Sequence, residues 1–540
     1  MRRAERWLVP TLLCVITATL VLPRLGQRPL WYDEAETGLT ARALWQHGVP
    51  MVCDDQWLSS FWQMTAGDSL VNVRVPWLQF YIAAASFSAL GISAWAARFP
   101  FALAAIACVP CLYGFTLRLT SDRFLSLAAG LLCSTNVVFL LFARQSRYYP
   151  LVMLLAVLLC WSYVNLCLSD KWSVVLFTLC SVLMFYSSHL CWLSLGVGLA
   201  VGYVLLDRTL DKGVAFGLAV VGSALLVFPW LWYTREAVLL TGPSVSEWIE
   251  IVVGLLLYYF RDYAGIGLFP LLLLPLLVLA FVVRRDLRKP LGWLLVLVVV
   301  STVVTSCFNY RGGKPWPGFV SDVRYQSHMI PLFALVQGAC CAIVVRWRRW
   351  VGIALVVILI GSSLLWWPVN ALQYGLDEPR MLSQWSPLAN YLYEITHDVK
   401  DPVQVVIEFL NEHASVGDQV VVFPQYMAES VAFHTKLYVL EPPYPQLIGQ
   451  RQIPSSLSKV NPRLTETSHR LRWVVVFKGH SLSDLREPTL KLVSMEFEPV
   501  AYPSVCGHTD LGRPELWVHA FRTVEVPSSR SGLVIYQRRR

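Results

Sequence analysis

The sequence predicts an α-helical protein that crosses a membrane many times and ends in a water-exposed α/β domain. Of its 540 residues, 56% are hydrophobic and 15% are charged, and the mean hydropathy is +0.53. Soluble domains average about 45–50% apolar and about 25% charged residues. The net charge is +9, but Lys and Arg cluster in short loops between apolar runs, which is typical of topology signals. We therefore expect an integral membrane protein that contacts lipids and binds no nucleic acid.

Apolar runs of about 20 residues, the length that crosses a bilayer, define the membrane segments. We predict eleven spans between residues 7 and 369, and the run 173–206 is long enough for two of them, with a turn at Ser187–His189. Two shorter runs, 77–91 and 249–260, are rich in aromatic residues and are predicted to lie on the outer membrane surface. If these two runs do not cross the membrane, every dense basic loop lies on the cytoplasmic side, as the positive-inside rule requires.

This topology places the N-terminus in the cytoplasm and the C-terminus outside. Residues 1–369 form the predicted membrane domain, and residues 23–95 are its long first external loop. Residues 370–540 form the predicted external domain, in which β-rich runs such as 419–423 and 473–477 alternate with helical stretches. That alternation indicates a small α/β sheet.

An acidic pair, Asp33 and Glu34, follows the first apolar segment. Carboxylates beside a membrane helix are costly unless they are solvated or functional. Residues 35–45 can form an amphipathic surface helix, which would hold both carboxylates at the boundary between water and lipid. A carboxylate there can accept a proton from a hydroxyl as a general base. In the alternative interpretation, Asp33 caps this helix and the acidic residues favour its N-terminus.

Two arginines and two tyrosines form a second group, Arg144, Arg147, Tyr148 and Tyr149. The topology places them outside, against the positive-inside bias. Guanidinium groups match phosphate oxygens and tyrosines add hydrogen bonds, so this pattern predicts a phosphate-binding cluster. Snorkelling at the membrane interface, within an aromatic belt, is the alternative.

External loop 309–327 adds cationic and aromatic residues on the same face, among them Lys314, Arg324 and Tyr325. Arg324 is the strongest single candidate there, although any of these charges is also compatible with an ordinary loop. His189 lies in the external turn between two spans and is a candidate contact for donor or acceptor. A lone polar residue in a tight turn is more often structural.

Metal ligation has little support in the sequence. Asp54 and Asp55 offer oxygen ligands of the type that divalent cations prefer, but they lack ligand-loop spacing, so solvated loop charge is expected. Cys53 and Cys506 are the two cysteines outside apolar segments, and they also lack metal-ligand spacing. A disulfide between them is left open.

The combination resembles the membrane-embedded glycosyltransferases of the C-type fold, in particular a bacterial relative of the protein O-mannosyltransferases and the lipid A aminoarabinose transferases. The similarity covers most of residues 1–370, whereas the C-terminal domain differs from the trefoil insertion of the eukaryotic mannosyltransferases. The residues that carry it are Asp33-Glu34-Ala35 after the first span, Arg144, Arg147 and Tyr149 before a span, His189 in a turn, and Arg324-Tyr325 before a span that contains Pro331.

The resemblance implies transfer of a hexosyl or pentosyl group from a polyprenyl-phosphate donor to an acceptor hydroxyl of a glycan, lipid or protein. Transfer would occur at the outer face of a bacterial plasma membrane, with inversion and without a metal or other cofactor. Asp33 would be the general base, and Glu34 would position the donor or acceptor. The predicted donor-phosphate ligands are Arg144, Arg147, Tyr148, Tyr149, Lys314, Arg324 and Tyr325.

Two other functions stay open. A transporter or flippase of lipid-linked saccharides would place charges near the bilayer midplane and would use broken, paired helices. A polymerase or ligase would use the same lipid-linked donor and the same external arginines, with its large external loop late in the chain.

Overall fold

Helices form most of the chain that the computed structural model describes. The described residues are 3–54, 56, 57, 59, 70–234, 244–265, 267–309, 323–368, 386–398, 402–423, 427–440, 471–477, 495–500, 505, 506, 525, 526 and 533–539. The α-helices among them are α1 (Arg3–Val21), α2 (Tyr32–His47), α3 (Leu78–Leu90), α4 (Ala94–Thr120), α5 (Arg123–Thr135), α6 (Val137–Ala143), α7 (Tyr149–Asn165), α8 (Lys171–Ser187), α9 (His189–Leu206), α10 (Leu210–Thr234), α11 (Val245–Gly265), α12 (Leu274–Val283), α13 (Arg285–Phe308), α14 (Ile330–Trp347), α15 (Arg349–Gly361), α16 (Pro387–Thr396), α17 (Pro402–His413) and α18 (Ala428–His434). Two 3-10 helices, Leu271–Leu273 and Val323–Met329, precede α12 and α14.

Several of these helices are long and apolar enough to cross a membrane. Five qualify by length and composition among the described residues: α4, α9, α10, α13 and the continuous stretch Val323–Trp347. The pair α5 and α6, bent by 61°, makes a sixth if it counts as one span. The chain is therefore an integral membrane protein, whereas the eleven-span count and the orientation of the termini stay predictions.

Most of the predicted helices are present, with one difference in length and one in burial. The run 173–206 does contain two helices, α8 and α9, which meet at Ser188. The run predicted as a short surface segment at 249–260 is part of α11, which has 21 residues. Helix α2 covers the predicted helix at 35–45, but it is not a surface helix. Most of its side chains are buried, because α3 and α18 pack against it.

The C-terminal region contains the expected α/β sheet. Its five strands are β1 (Gln419–Phe423), β2 (Tyr438–Leu440), β3 (Leu471–Val476), β4 (Phe497–Val500) and β7 (Val534–Arg538), in the order β2-β1-β3-β7-β4. Strands β2, β1 and β3 run parallel, and β7 pairs antiparallel with β3 and β4. The strands β5 (Val505–Cys506) and β6 (Glu525–Val526) form a separate antiparallel pair. The predicted boundary at residue 370 lies outside the described residues.

The disulfide between Cys53 and Cys506 that the sequence leaves open is not tested. Cys53 is buried in the first loop, whereas the side chain of Cys506 lies outside the described part of the chain. Their pairing therefore stays open.

Candidate active site

The acidic pair lies in the first turn of α2, and its two carboxylates have different partners. The helix begins after Trp31, which is the N-cap residue, so the alternative that Asp33 caps this helix is wrong. The side chain of Glu34 closes the turn instead, because its Oε2 accepts a hydrogen bond from the backbone N–H of Trp31 at 3.3 Å. This bond is the Glu34 half of a capping box, and it satisfies one donor that the helix start leaves without an intrahelical partner.

Asp33 is surrounded by cations and a phenol. Nη1 of Arg324 donates to Oδ2 of Asp33 at 2.5 Å, and the hydroxyl of Tyr149 donates to the same oxygen at 3.1 Å. Nη2 of Arg147 lies 3.9 Å from the other oxygen, Oδ1. The carboxylate is only 6% exposed. Three residues predicted as phosphate ligands thus converge on the predicted base.

The ionisation of Asp33 reflects two opposing effects. Burial raises the pKa of this carboxyl, but the charges of Arg324, Arg147 and Arg74 and the hydrogen bond from Tyr149 outweigh it. The net result is a pKa below the ordinary value of 3.8. Asp33 is therefore an anion at neutral pH, held beside guanidinium groups in a site of low solvent access.

Glu34 pairs with Arg98 of α4 and not with the Asp33 cluster. Nε and Nη2 of Arg98 donate to the two oxygens of Glu34 at 2.8 Å and 2.6 Å. The backbone N–H of Ser146 donates to Oε1 of Glu34 at 2.7 Å. These bonds engage both carboxylate oxygens, so Glu34 fastens the start of α2. They give no support to the predicted contact of Glu34 with donor or acceptor.

Arg98 also holds the loop that leads into α2. Its Nη1 donates to the carbonyls of Leu25 and Arg28 at 2.9 Å and 2.8 Å, and its Nη2 donates to the carbonyl of Pro29 at 2.9 Å. Together with the two bonds to Glu34, all five N–H donors of the guanidinium are used. One buried side chain therefore fixes both the loop and the first turn of α2.

Arg147 is bound to the helix that carries Asp33. Its Nη1 donates to the backbone carbonyl of Asp33 at 3.0 Å, to Oγ1 of Thr37 at 3.1 Å and to Oε2 of Glu36 at 3.2 Å. Glu36 is buried and also pairs with Arg74. Sequence reasoning did not single out Glu36, Arg74 or Arg98. The spacing of Glu36, three residues after Asp33 on the same helical face, is the local signal that could have indicated the first of them.

Arg144 contacts the end of α1. Its guanidinium donates to the carbonyls of Val21 and Pro23, both at 2.7 Å, and to that of Arg24 at 3.2 Å. These carbonyls follow the end of α1, where backbone acceptors lack intrahelical partners. The structure therefore places Arg144 as a cap of α1, and its contacts give no support to the predicted phosphate binding.

The remaining candidates divide into those near Asp33 and those away from it. The ring of Tyr148 packs edge-on against Tyr149 at 4.5 Å between centroids. The guanidinium of Arg324 lies 5.3 Å from the centre of the Tyr325 ring. Tyr148 and Tyr325 thus border the cluster around Asp33.

His189 and Lys314 are not brought to this cluster by any described contact. The ring of His189 packs against Phe185 at 4.4 Å and against Trp230 at 4.5 Å between centroids. That aromatic environment supports the structural interpretation of His189. Lys314 lies outside the described residues, so its predicted role stays a prediction.

Comparison with known proteins defines the fold. No protein-family model and no curated protein matches the sequence. Among solved structures, ArnT from Cupriavidus metallidurans bound to undecaprenyl phosphate is 13% identical, with a TM-score of 0.55 over 99% of this chain and 98% of ArnT. Its apo state gives 14% identity and the same TM-score and coverage. The Archaeoglobus fulgidus oligosaccharyltransferase in complex with Zn and sulfate is 10% identical, with a TM-score of 0.51 over 91% of this chain and 72% of that one.

These structures have the C-type glycosyltransferase fold, and the likeness extends over nearly the whole of this chain. The predicted fold class is therefore confirmed: the chain is a polytopic α-helical membrane protein of the C-type glycosyltransferase fold with a C-terminal sheet region.

Proposed function

We propose that the protein is a glycosyltransferase that moves a sugar from a polyprenyl-phosphate-linked donor to an acceptor hydroxyl, with Asp33 as the general base. The observation that carries this proposal is the buried Asp33 carboxylate with Arg324, Arg147 and Tyr149 around it. A base beside guanidinium groups suits a reaction in which a hydroxyl loses a proton and a phosphate leaves. The shared fold is further support, since ArnT has been solved with undecaprenyl phosphate bound.

In this reaction the acceptor oxygen attacks the anomeric carbon and its proton passes to Asp33. The bond between the anomeric carbon and the phosphate oxygen breaks, and the electron pair leaves on the polyprenyl phosphate. Attack from the face opposite the leaving group inverts the anomeric configuration. Arg324 stabilises the phosphate as its negative charge develops, which lowers the barrier because this interaction strengthens in the transition state.

Arg324 serves two anions in turn in this proposal. Before the donor binds, it pairs with Asp33 and keeps the pKa of that carboxyl low, which makes Asp33 a weak base. The donor phosphate competes for the same guanidinium, so binding weakens the pair and raises the basicity of Asp33. Arg147 does not exchange, because it is bonded to the backbone and side chains of α2. Its role is to hold Asp33 in place and to add positive charge.

We also propose where the reaction takes place, which kind of sugar is transferred, and that no metal is needed. The site faces the outside of a bacterial plasma membrane, and the transferred group is a hexose or pentose. Arg324 and Arg147 supply the positive charge that the leaving phosphate needs, so transfer proceeds without a metal. Full activity in the presence of a chelator is the expected result, and loss of activity that added metal restores would contradict it.

The test is sugar transfer by the purified protein in proteoliposomes supplied with a panel of polyprenyl-phosphate sugars and membrane-derived acceptors. Asp33→Asn should abolish transfer, because the amide cannot accept the proton, while binding of polyprenyl phosphate is kept. Asp207→Asn is the matched control, since Asp207 also pairs with two cations, Lys212 and Lys289, which lie away from α2. If Asp33→Asn transfers sugar at the wild-type rate, Asp33 is not the general base.

A further inference from the structure

The C-terminal region packs closely against α2, the helix that carries Asp33. A Cβ added to Gly38 of α2 would lie 2.6 Å from Cε2 and 2.9 Å from Cδ2 of Phe433 in α18. Real Cβ atoms do not approach other atoms so closely, so the Phe433 ring sits directly against the backbone of α2. Glycine inside a helix costs about 1 kcal/mol relative to alanine, and a packing requirement of this kind explains its presence.

Other contacts hold the Phe433 ring in place. It is 7% exposed, and its centroid lies 6.1 Å from that of Phe87 in α3. Since α3 also packs against α2, the ring fills the junction of three helices. A ring confined in this way defines the position of the α2 backbone about one helical turn after Asp33.

His434, the last residue of α18, holds the loop before α2. The backbone N–H of Leu30 donates to Nε2 of His434 at 2.9 Å. The neighbouring carbonyls of Arg28 and Pro29 are bound by Arg98, as described above. The side chain of His434 therefore completes the hydrogen bonding of a loop whose other fixed point is the Arg98–Glu34 pair.

Helix α16 and the short segment after it add two more contacts to the same loop. Nη1 of Arg28 lies 2.7 Å from Oε1 of Glu394, and Nε2 of Gln27 donates to Oδ1 of Asp398 at 2.6 Å. The part of the chain after residue 386 thus contacts both the entry to α2 and the helix itself.

We infer that the C-terminal region positions the catalytic base, with Phe433 and His434 as positioning residues for Asp33. This inference rests on the proposed function, because it takes Asp33 to be the base. The physical basis is geometric: the ring sets the distance of α2 from α3, and the imidazole sets the conformation of the preceding loop. Together they place the Asp33 carboxylate relative to Arg324 and Tyr149. Misplacement of a reacting group by about 1 Å can cost about 100-fold in rate.

Acceptor binding is the competing role for this surface. A cavity of about 540 Å³ opens beside Phe433 and His434, between Arg42 and Lys436. A surface that binds the acceptor would change the acceptor KM when altered. A surface that positions Asp33 would change kcat and leave the KM of donor and acceptor unchanged.

The first experiment substitutes Gly38→Ala. The added methyl forces α2 and Phe433 apart, and we expect kcat to fall about 10- to 100-fold with unchanged KM values. Gly217→Ala is the matched control, because Gly217 is also helical and a Cβ there meets nothing within 4 Å. The double variant Gly38→Ala/Phe433→Ala removes the clash with the ring and leaves only the looser contact with Cδ1 of Leu30 at 3.2 Å, so it should be more active than Gly38→Ala alone. Wild-type turnover by Gly38→Ala, or effects that simply multiply in the double variant, would overturn the inference.

The second experiment compares a substitution of His434 that keeps a hydrogen-bond acceptor with one that removes it. His434→Gln keeps an acceptor at the position of Nε2 and should retain turnover, whereas His434→Leu leaves the Leu30 N–H without it and should lower kcat. Unchanged binding of polyprenyl phosphate confirms that each variant is folded. A raised acceptor KM with unchanged kcat in His434→Leu and Phe433→Ala would establish acceptor recognition instead. Failure of the proposed function would look different, since Asp33→Asn would then keep its activity.

Discussion

Arg324 and Asp33 are separated by 291 positions in the sequence, yet Nη1 of the arginine lies 2.5 Å from Oδ2 of the aspartate. Arg324 is in the 3-10 helix Val323–Met329, directly before α14, and Asp33 is in the first turn of α2. A single guanidinium thus links the start of α2 to the start of an apolar stretch late in the chain. Its charge counteracts the burial that raises the pKa of Asp33.

If Arg324 exchanges between Asp33 and the donor phosphate, the pH profiles of kcat and kcat/KM should fall at different pH values on the acid side. In the wild type, kcat/KM reports the free enzyme, in which the pKa of Asp33 lies below 3.8, and kcat reports the donor complex. We expect the acid limb of kcat at higher pH than that of kcat/KM. Arg324→Gln should move the kcat/KM limb to higher pH, because burial is then less opposed, and should weaken donor binding. Coincident limbs in the wild type, measured by initial rates across pH, would refute the exchange.

The Glu34–Arg98 pair predicts a large effect on stability. Both side chains are buried, so Arg98→Met leaves a buried carboxylate without its charged partner, which costs about 3–5 kcal/mol. We expect a marked fall in the midpoint of thermal unfolding of the detergent-purified protein. The double variant Glu34→Gln/Arg98→Met should recover part of the loss, because it removes the buried charge. An unfolding midpoint for Arg98→Met equal to that of the wild type would show that the pair does not hold α2.

The two arginines of the 144–149 segment should behave differently. Arg147→Ala removes a charge beside Asp33 and three bonds to α2, so weaker binding of polyprenyl phosphate and slower transfer are expected. Arg144→Ala removes bonds to the end of α1 and should lower thermal stability with donor affinity kept. Titration with polyprenyl phosphate measures the affinity of both variants and distinguishes the two roles. Equal losses of affinity would return Arg144 to the phosphate-binding role that the sequence predicts.

His434 predicts a pH-dependent contribution to stability. Burial, followed by the charge of Arg98, lowers its pKa from 6.5 to about 4. The unfolded chain therefore binds more protons between these values, so this contribution is complete above pH 6.5 and decreases as the pH falls toward 4. The difference in unfolding midpoint between the wild type and His434→Leu should shrink over this range. A constant difference would show that the neutral imidazole is not what stabilises the loop.

The membrane orientation can be tested at the two ends of α4. A reporter fused after residue 93 should lie outside, and one fused after residue 121 should lie in the cytoplasm, next to Arg118 and Arg123. Fusions of an enzyme active only outside and a fluorophore active only inside give the assignment. The reverse result would mean that the helix α3 crosses the membrane.

Much of the fold and part of the site follow from local sequence patterns. Apolar runs and basic loops depend on neighbouring residues, which is why helices such as α8 and α9 were predicted with their turn. The same patterns grouped Asp33, Arg147 and Arg324 on one side of the membrane, and the structure brings these three together. Their roles in transfer stay predictions.

What the sequence could not predict depends on long-range packing. Arg144 and Arg147 look alike in sequence, but they belong to different surfaces because the chain turns between them. Arg98 lies in the first residues of an apolar helix, where nothing local indicates that its partner is Glu34. The burial of α2 also had no local signal, since α18 is needed to cover it.

The bonding of the loop before α2 has a consequence for biogenesis. Leu30 leaves the ribosome 404 residues before His434, and Arg98 also follows it. Helix α2 is therefore synthesised long before the residues of α18 that pack against it. A nascent chain that has already inserted its apolar helices still lacks the imidazole and the Phe433 ring. A chain that ends before α18 would hold the start of α2 through Arg98 alone, without the contacts of His434 and Phe433.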